Sequence, residues 1–299
     1  MSQEKFVMKR RDGMDVHGLA WPIENAIGNV IIITGMEEHA QRYDHFATYL
    51  NERGYSVYCI DHYGQGENAK AYDNLGKWEK SGFRIMVNTI DALVNKLRIT
   101  CRPIYIVAHS MGSFILQDFI QRYSAHVDKV VLVGSCGSRP AVKFANFLMK
   151  FMVNNKNYDK PSKFLDKLVF GSNNKKTKHR TEKDWISLSE SNVDAYISDP
   201  YCGYGVTRGF YKEMFKGISR LNTKRFLKKI RKNLPILIVS GEDDPVGLYG
   251  KGVKKLYKQY VKLGIEDVEL KLYPNLRHEV LNEDNKEEIY DEIIKFLNK

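Results

Sequence analysis

The stretch Ile104-Tyr-Ile-Val-Ala-His-Ser-Met-Gly-Ser-Phe-Ile-Leu-Gln117 decides the fold of this chain. Its first five residues, 104–108, are apolar and too few for a helix, so they predict a buried strand. Beyond Ser110, apolar residues recur at helical spacing, which predicts a helix that begins at or just after the serine. A serine at the apex of such a turn is held in a strained backbone conformation, with its hydroxyl projecting from the sheet.

Small residues flank this serine at the positions where the helix must pack back against the strand. They are Ala108, two positions before, and Gly112, two positions after. The usual pattern is G-x-S-x-G, and here alanine replaces the first glycine. So short a string often arises by chance in a chain of this size. The interpretation of Ser110 as a candidate nucleophile therefore depends on the predicted strand before it and the predicted helix after it.

Short apolar strands alternate with helical patterns on both sides of this stretch. An antiparallel pair at 5–10 and 16–21 is followed by predicted strands at 30–34, 56–60, 104–108, 129–133, 235–240 and 268–272. Helices are predicted at 43–53, 83–98, 249–263 and 286–297. This alternation predicts an α/β fold with a mostly parallel central sheet and helices on both faces. In such sheets the site lies at the carboxyl ends of the strands.

The alternation stops between residues 139 and 232, where helical patterns continue without a core strand. We therefore predict a core of 1–138 and 233–299, with a helical cap, or lid, inserted at 139–232. That segment holds 22 Lys and Arg against 8 Asp and Glu, a net charge of +14, whereas the remainder carries −3. A well-solvated insertion explains this charge, and so does peripheral contact with an anionic membrane. Nucleic acid is the least favoured partner.

Composition is that of a globular protein rather than a membrane-spanning one. The 299 residues are 43% hydrophobic and 28% charged, and no run of about 18 apolar residues occurs. Residues 1–11 are polar and lack a secretory signal, which predicts a cytoplasmic protein, with peripheral membrane contact through the basic cap as an option. The four cysteines show no C-x-x-C spacing, so neither a zinc site nor a redox dithiol is indicated.

A serine hydroxyl becomes a nucleophile only with a general base and a carboxylate that orients it. The strand at 235–240 is followed by Gly-Glu-Asp-Asp-Pro-Val at 241–246. Asp244 is the preferred carboxylate, because the following proline biases it toward an extended conformation. Asp243 is the alternative candidate for this carboxylate. The base is predicted to be His278, which lies on the loop after the last strand.

An ester-cleaving site also needs two N–H groups for the developing oxyanion. One is expected from Met111, directly after the serine, and the other from the loop after strand 30–34. Gly35 would let that loop approach closely, so Met36 is the expected second donor.

Five blocks together resemble the monoglyceride lipase and lysophospholipase branch of the serine α/β-hydrolases, which overlaps the serine aminopeptidase-type hydrolases. They are TGMEEHAQRY at 34–43, DHYGQG at 61–66, AHSMG at 108–112, GEDDPV at 241–246 and RHE at 277–279. The resemblance implies an α/β-hydrolase fold, a Ser110–Asp244–His278 triad, a lid at 139–232 and no metal or organic cofactor. It also places Glu38 and Arg42 near the substrate pocket. The chain departs from the family pattern at Thr34, Tyr63, Gln65 and Ala108.

The resulting hypothesis is a carboxylic ester hydrolase that acts through an acyl-enzyme. Apolar stripes in the cap, with Phe147 and Phe151 as candidate acyl contacts, favour substrates such as monoacylglycerols or lysophospholipids. Two alternatives remain: an aminopeptidase or amidase of the same fold, and a non-catalytic binding protein on a hydrolase scaffold. The oligomeric state is left open.

Overall fold

Eight strands form one sheet that organises the molecule. The structure, a computed structural model, describes residues 3–137 and 139–299. The strands occur in the spatial order β1-β2-β4-β3-β5-β6-β7-β8. Their bounds are β1 Glu4–Lys9, β2 Asp15–Trp21, β3 Gly28–Ile33, β4 Tyr55–Ile60, β5 Ile104–His109, β6 Lys129–Val133, β7 Ile236–Gly241 and β8 Val268–Tyr273.

The sheet is antiparallel only at one edge. β2 pairs antiparallel with both β1 and β4, and every other neighbouring pair is parallel. This confirms the predicted mostly parallel sheet. The carboxyl ends of β3, β5, β6, β7 and β8 therefore lie along the same edge, where the loops after them can meet.

Helices connect these strands and cover the sheet. Their bounds are α1 Asp44–Asn51, α2 Gly66–Tyr72, α3 Gly82–Leu97, α4 Met111–Tyr123, α5 Pro140–Met152, α6 Lys163–Phe170, α7 Glu190–Ser198, α8 Arg208–Ile218, α9 Lys224–Leu227, α10 Lys251–Lys262 and α11 Lys286–Asn298. The sequence pattern missed α2, a seven-residue helix without a distinct apolar stripe. Within the described ranges, no helix is long and apolar enough to cross a membrane.

Alternate residues of β5 face two different hydrophobic layers. Ile106 packs in the layer that includes Phe119 of α4, while Val107 packs in the layer that includes Phe46 of α1 and Ile293 of α11. Because both faces are covered, the strand is apolar throughout rather than alternating. The helices on both faces agree with the sequence prediction.

Residues 139–232, called the cap segment below, contain helices α5 to α9 between β6 and β7. Its inner part packs on the core. The ring of Phe210 on α8 stacks on Trp78, with centroids 4.3 Å apart. The outer helices α5 and α6 instead expose large apolar side chains, namely Phe144, Phe147, Phe151, Phe164 and Leu168.

Candidate active site

Ser110 lies at the turn between β5 and α4 in a conformation that side chains rarely adopt. Its φ is 52° and its ψ is −120°. The N–H of Ser110 donates a 2.9 Å hydrogen bond to the carbonyl of Val133 on β6, which fixes the turn to the neighbouring strand. A Cβ atom at Gly112 would overlap the carbonyl oxygens of Ile33 and Thr34. Helix α4 can therefore approach β3 only because that position has no side chain.

Three side chains from different loops form a continuous hydrogen-bonded path. His278 Nε2 lies 2.7 Å from Ser110 Oγ, and His278 Nδ1 lies 3.0 Å from Asp244 Oδ1. An ionised carboxylate can only accept, so Nδ1 carries the proton and Nε2 accepts from the serine hydroxyl. The structure thus brings together the serine, the histidine and the preferred carboxylate of the sequence prediction.

Asp244, rather than Asp243, is the acid that contacts the histidine. Asp244 is fully buried and also accepts a 2.8 Å hydrogen bond from the N–H of Val246. Burial acts to raise the pKa of Asp244, but His278 and backbone N–H groups hold it below its ordinary value. The side chain of Asp243 is 42% exposed and lies 3.7 Å from Lys176 Nζ.

Two backbone segments approach Ser110 where an oxyanion would form. A Cβ atom at Gly35 would lie 3.0 Å from Ser110 Cβ, so the loop after β3 runs directly against the serine. Met111 is the first residue of α4, whose N-terminal end favours negative charge. Met36 and Met111 line the same cavity as Ser110. Their positions therefore suit the two expected N–H donors.

Glu38 belongs to a buried polar network beside the serine. It accepts hydrogen bonds from the Gly35 N–H, from Tyr43 Oη at 2.8 Å and from His109 Nδ1 at 2.9 Å. Burial acts to raise the pKa of Glu38, but His109 and Arg42 hold it well below its usual value. One carboxylate thus joins the loop after β3 to the residue that precedes the serine.

Arg42 extends this network to the histidine loop and to the cap segment. It forms a two-pronged ion pair with Glu279, both N–O distances being 2.7 Å, and donates to Asn192 on α7 at 2.9 Å. The side chain of Arg42 is only 10% exposed. The family resemblance implied that Glu38 and Arg42 lie near the substrate pocket. The structure shows both bonded to protein partners, and Glu38 also borders a small cavity.

Two cavities meet at Ser110 and differ in character. The larger, about 350 Å³, is walled mostly by apolar side chains such as Phe114, Met214, Phe215 and Val246. The smaller, about 40 Å³, is bordered by the titratable residues Glu37, Glu38, His109 and His278 together with the apolar side chains Phe170, Trp185 and Ile186. The larger cavity offers room for an acyl chain, and the smaller one lies on the side of the histidine.

Phe147 and Phe151, predicted as acyl contacts, face outward from α5. They are 53% and 73% exposed. The inner face of α5 is formed by Met149, which is 1% exposed, and by Val142, which lines the larger cavity. Neither phenylalanine lines the larger cavity, whose wall includes Val142, Phe114, Met214 and Phe215. An apolar stripe in the sequence shows that a helix has an apolar face, but it does not show whether that face lies against the cavity or faces outward.

Trp185 contacts the site without any sequence motif to mark it. Its ring lies against His278, with centroids 5.2 Å apart. Arg277, next to the histidine, donates to the carbonyls of Asp184 at 2.6 Å and Ser187 at 2.8 Å. The cap segment thereby covers one side of the histidine.

Among residues 3–137 and 139–299, one trio of side chains could ligate a metal. His39, Asp199 and Cys202 place their ligand atoms within 4.8 Å of one another. However, His39 Nε2 is hydrogen-bonded to Asp199 Oδ2 at 2.8 Å, and burial raises the pKa of the Cys202 thiol. His39 and Asp199 are thus already bonded to each other, and the raised pKa of Cys202 disfavours the thiolate that a metal ion would need.

Comparison with known proteins decides the family. A family model described as serine aminopeptidase, S33, matches residues 24–285. The chain belongs to this family. The monoacylglycerol lipase of Mycolicibacterium smegmatis is 27% identical over 94% of this chain and 92% of that protein. Phospholipase YtpA of Bacillus subtilis is 23% identical over 90% of this chain and 95% of that protein.

Solved structures share the architecture of this chain. A thermostable carboxyl esterase from Bacillus coagulans superposes with a TM-score of 0.91 at 25% identity, covering 100% of this chain and 98% of that one. A monoglyceride lipase from Saccharomyces cerevisiae shares the fold, with a TM-score of 0.78 at 18% identity over 100% and 95% of the two chains. The predicted family and the α/β-hydrolase fold are confirmed.

Proposed function

We propose that this protein is a serine hydrolase that cleaves carboxylic esters of acyl lipids through Ser110. The observation that carries this function is the path Ser110–His278–Asp244, with distances of 2.7 and 3.0 Å. Such a path supplies the general base that a serine hydroxyl needs at neutral pH. Binding alone does not require a strained serine that is aligned with a histidine and a buried carboxylate, so this arrangement argues against a non-catalytic binding protein.

The geometry supports a two-step acyl transfer. Ser110 Oγ attacks the ester carbonyl while His278 Nε2 takes its proton, and Asp244 stabilises the resulting imidazolium. The N–H groups of Met36 and Met111 stabilise the negative oxygen of the tetrahedral intermediate. His278 then protonates the departing alcohol, leaving an acyl-enzyme. Water, activated by the same histidine, releases the acid and restores Ser110.

The larger cavity supports an acyl substrate. Its buried wall is apolar, and it opens onto Ser110 and onto both expected oxyanion donors. Two related proteins are named monoacylglycerol lipase and phospholipase, and both names describe enzymes that cleave acyl esters. Monoacylglycerols and lysophospholipids are therefore the substrate classes we propose.

A panel of p-nitrophenyl esters of increasing chain length tests this function. We expect turnover to favour a particular length, and Met214→Ala or Phe215→Ala to shift that optimum. Phe147→Ala is the matched control and should leave the optimum unchanged, because this side chain faces outward. Preferential cleavage of an aminoacyl p-nitroanilide would instead support an aminopeptidase.

We further propose that residues 139–232 act as a cap that rests on an anionic membrane. On α5 and α6, exposed phenylalanines alternate with lysines at 143, 150, 163 and 167. Such a surface suits an interface that offers both acyl chains and anionic head groups, whereas nucleic acid offers no apolar layer. Retention on anionic vesicles that weakens with salt would support this role, and equal retention on neutral vesicles would contradict it.

A further inference from the structure

The larger cavity has an unbalanced charge. Its wall includes Arg139, Lys143 and Lys175 but no Asp or Glu. Within residues 3–137 and 139–299, no carboxylate forms an ion pair with any of these three side chains. Lys143 and Lys175 are exposed, whereas the apolar wall at Phe114 and Met214 is buried. The cations therefore lie at the rim of the cavity and the apolar groups within it.

A helix end adds positive potential at the same rim. Helix α5 begins at Pro140, and its first-turn residues Val142 and Lys143 line the cavity. That turn contains no acidic residue, and Arg139 gives its N–H groups no side-chain cap. The positive end of the helix dipole thus coincides with three cations that form no ion pair with an acid among the described residues.

Two cations on the histidine side of Ser110 are paired with acidic side chains. Arg42 is paired with Glu279 and Glu38, and Lys183 Nζ lies 3.8 Å from Glu37. Arg42 and Lys183 are therefore matched by acids, whereas the three cations at the rim of the larger cavity lie together without one.

We propose that the preferred substrates are acyl esters that carry a phosphate or carboxylate group, which lies against Arg139, Lys143 and Lys175. This inference rests on the proposed ester hydrolase function and specifies its substrate. The hydrocarbon part packs against the buried wall, and the anionic group stays at the solvated rim. Neutral esters of the same chain length lack the second contact.

The anionic group could belong to the head group or to the far end of the acyl chain, and two matched pairs of esters separate these sources. The first pair is 1-dodecanoylglycerol and 1-dodecanoylglycerol 3-phosphate. The second pair is p-nitrophenyl dodecanoate and the mono-p-nitrophenyl ester of dodecanedioic acid. All four are assayed as monomers, at low and at high salt.

We expect kcat/KM to be about tenfold higher for the anionic member of at least one pair at low salt, and the preference to shrink as salt rises. The double variant Lys143→Gln/Lys175→Gln should remove most of that preference through KM, and should lower kcat/KM much less for neutral esters than for anionic ones. Lys150→Gln, on the same helix but outside this cavity wall, is the matched control and should keep the preference.

Equal turnover within both pairs, or an unchanged preference in the double variant, would overturn this inference alone. The ester hydrolase function would then stand, because the neutral esters report it independently. Failure of the wild type to cleave any of the four esters would overturn the proposed function, and this inference with it.

Discussion

Charged side chains on the two sides of Ser110 differ in whether they are paired with an opposite charge. On the histidine side, the buried residues Glu38, His109 and Glu279 and the nearly buried Arg42 are joined by hydrogen bonds of 2.7 to 3.2 Å. On the side of the larger cavity, Arg139, Lys143 and Lys175 have no acidic partner in the described chain. Matched buried charges fix loops in place, and unmatched charges at a cavity rim are available to a ligand.

This difference has an energetic basis. A buried ion must be paired because its desolvation costs several kcal/mol, so removing one partner is strongly destabilising. An exposed ion keeps most of its hydration and can remain unpaired at little cost. Substitutions on the two sides should therefore have different signatures: loss of catalysis or stability on one, altered selectivity on the other.

The largest effect is expected at the histidine side, from Asp244→Asn. The amide can present its N–H to His278 and favour the wrong tautomer, so kcat should fall by about 10⁴-fold. Steady-state kinetics with a p-nitrophenyl ester measures this loss. Asp243→Asn is the matched control, one residue away and exposed, and should retain nearly full activity; equal losses in both variants would contradict the assignment of Asp244.

Glu279→Gln tests the matched charges directly. The substitution removes one of the two carboxylates that pair with Arg42, whose side chain is largely buried. The free energy of unfolding should therefore fall by about 3 kcal/mol. Chemical denaturation followed by intrinsic fluorescence provides the measurement. Glu287→Gln, at an exposed position of α11, should change stability by less than about 0.5 kcal/mol; a comparable loss there would remove the special role given to Glu279.

The same pair predicts how stability depends on pH. Burial acts to raise the pKa of Glu279, but Arg42 holds it below the usual glutamate value of 4.5. A carboxyl whose pKa is lowered by folding contributes stability above that usual value and loses it as pH falls through the folded-state pKa. The stability gap between wild type and Glu279→Gln should therefore narrow from about pH 6 to about pH 3. If the difference in unfolding free energy between the two proteins did not change with pH, the ionised form of Glu279 would not be the source of its stabilising effect.

The smallest catalytic effect is expected from the outer surface of the cap segment. Phe147→Ser/Phe151→Ser should leave turnover of a monomeric ester unchanged, because neither side chain lines the cavity. Binding to anionic vesicles should weaken by about tenfold, since two apolar side chains are lost from the interface. Co-sedimentation measures it, and Val7→Ser, another exposed apolar residue but on β1, serves as the control. Unchanged vesicle binding would place the membrane contact elsewhere.

The elements that the sequence predicted well are those with strong local patterns. The strand, turn and helix around Ser110 could be predicted because apolar periodicity changes within a few residues. The loops that carry Asp244 and His278 could be located because parallel strands present their carboxyl ends at one edge. The boundaries shifted by one or two residues, as at β3, which spans Gly28–Ile33 rather than 30–34.

Other features depended on tertiary contacts that no local pattern contains. Trp185 lies against His278 in the folded chain, where Arg277 of the loop after β8 also binds the cap segment. Phe147 and Phe151 belong to a genuine apolar stripe, yet the helix turns that part of the stripe outward. The ion pair between Arg42 and Glu279 joins residues 237 positions apart, so only the folded chain reveals it.

Labelling with a fluorophosphonate probe, followed by intact-mass analysis, tests the central claim most directly. The account predicts one covalent adduct on the wild type, because His278 activates Ser110 toward the phosphorus centre. Ser110→Ala should be folded and unlabelled, and Ser113→Ala, at the buried neighbouring serine of α4, should keep the adduct. An unlabelled wild type, or an adduct that persists in Ser110→Ala, would contradict the assignment of Ser110 as the nucleophile.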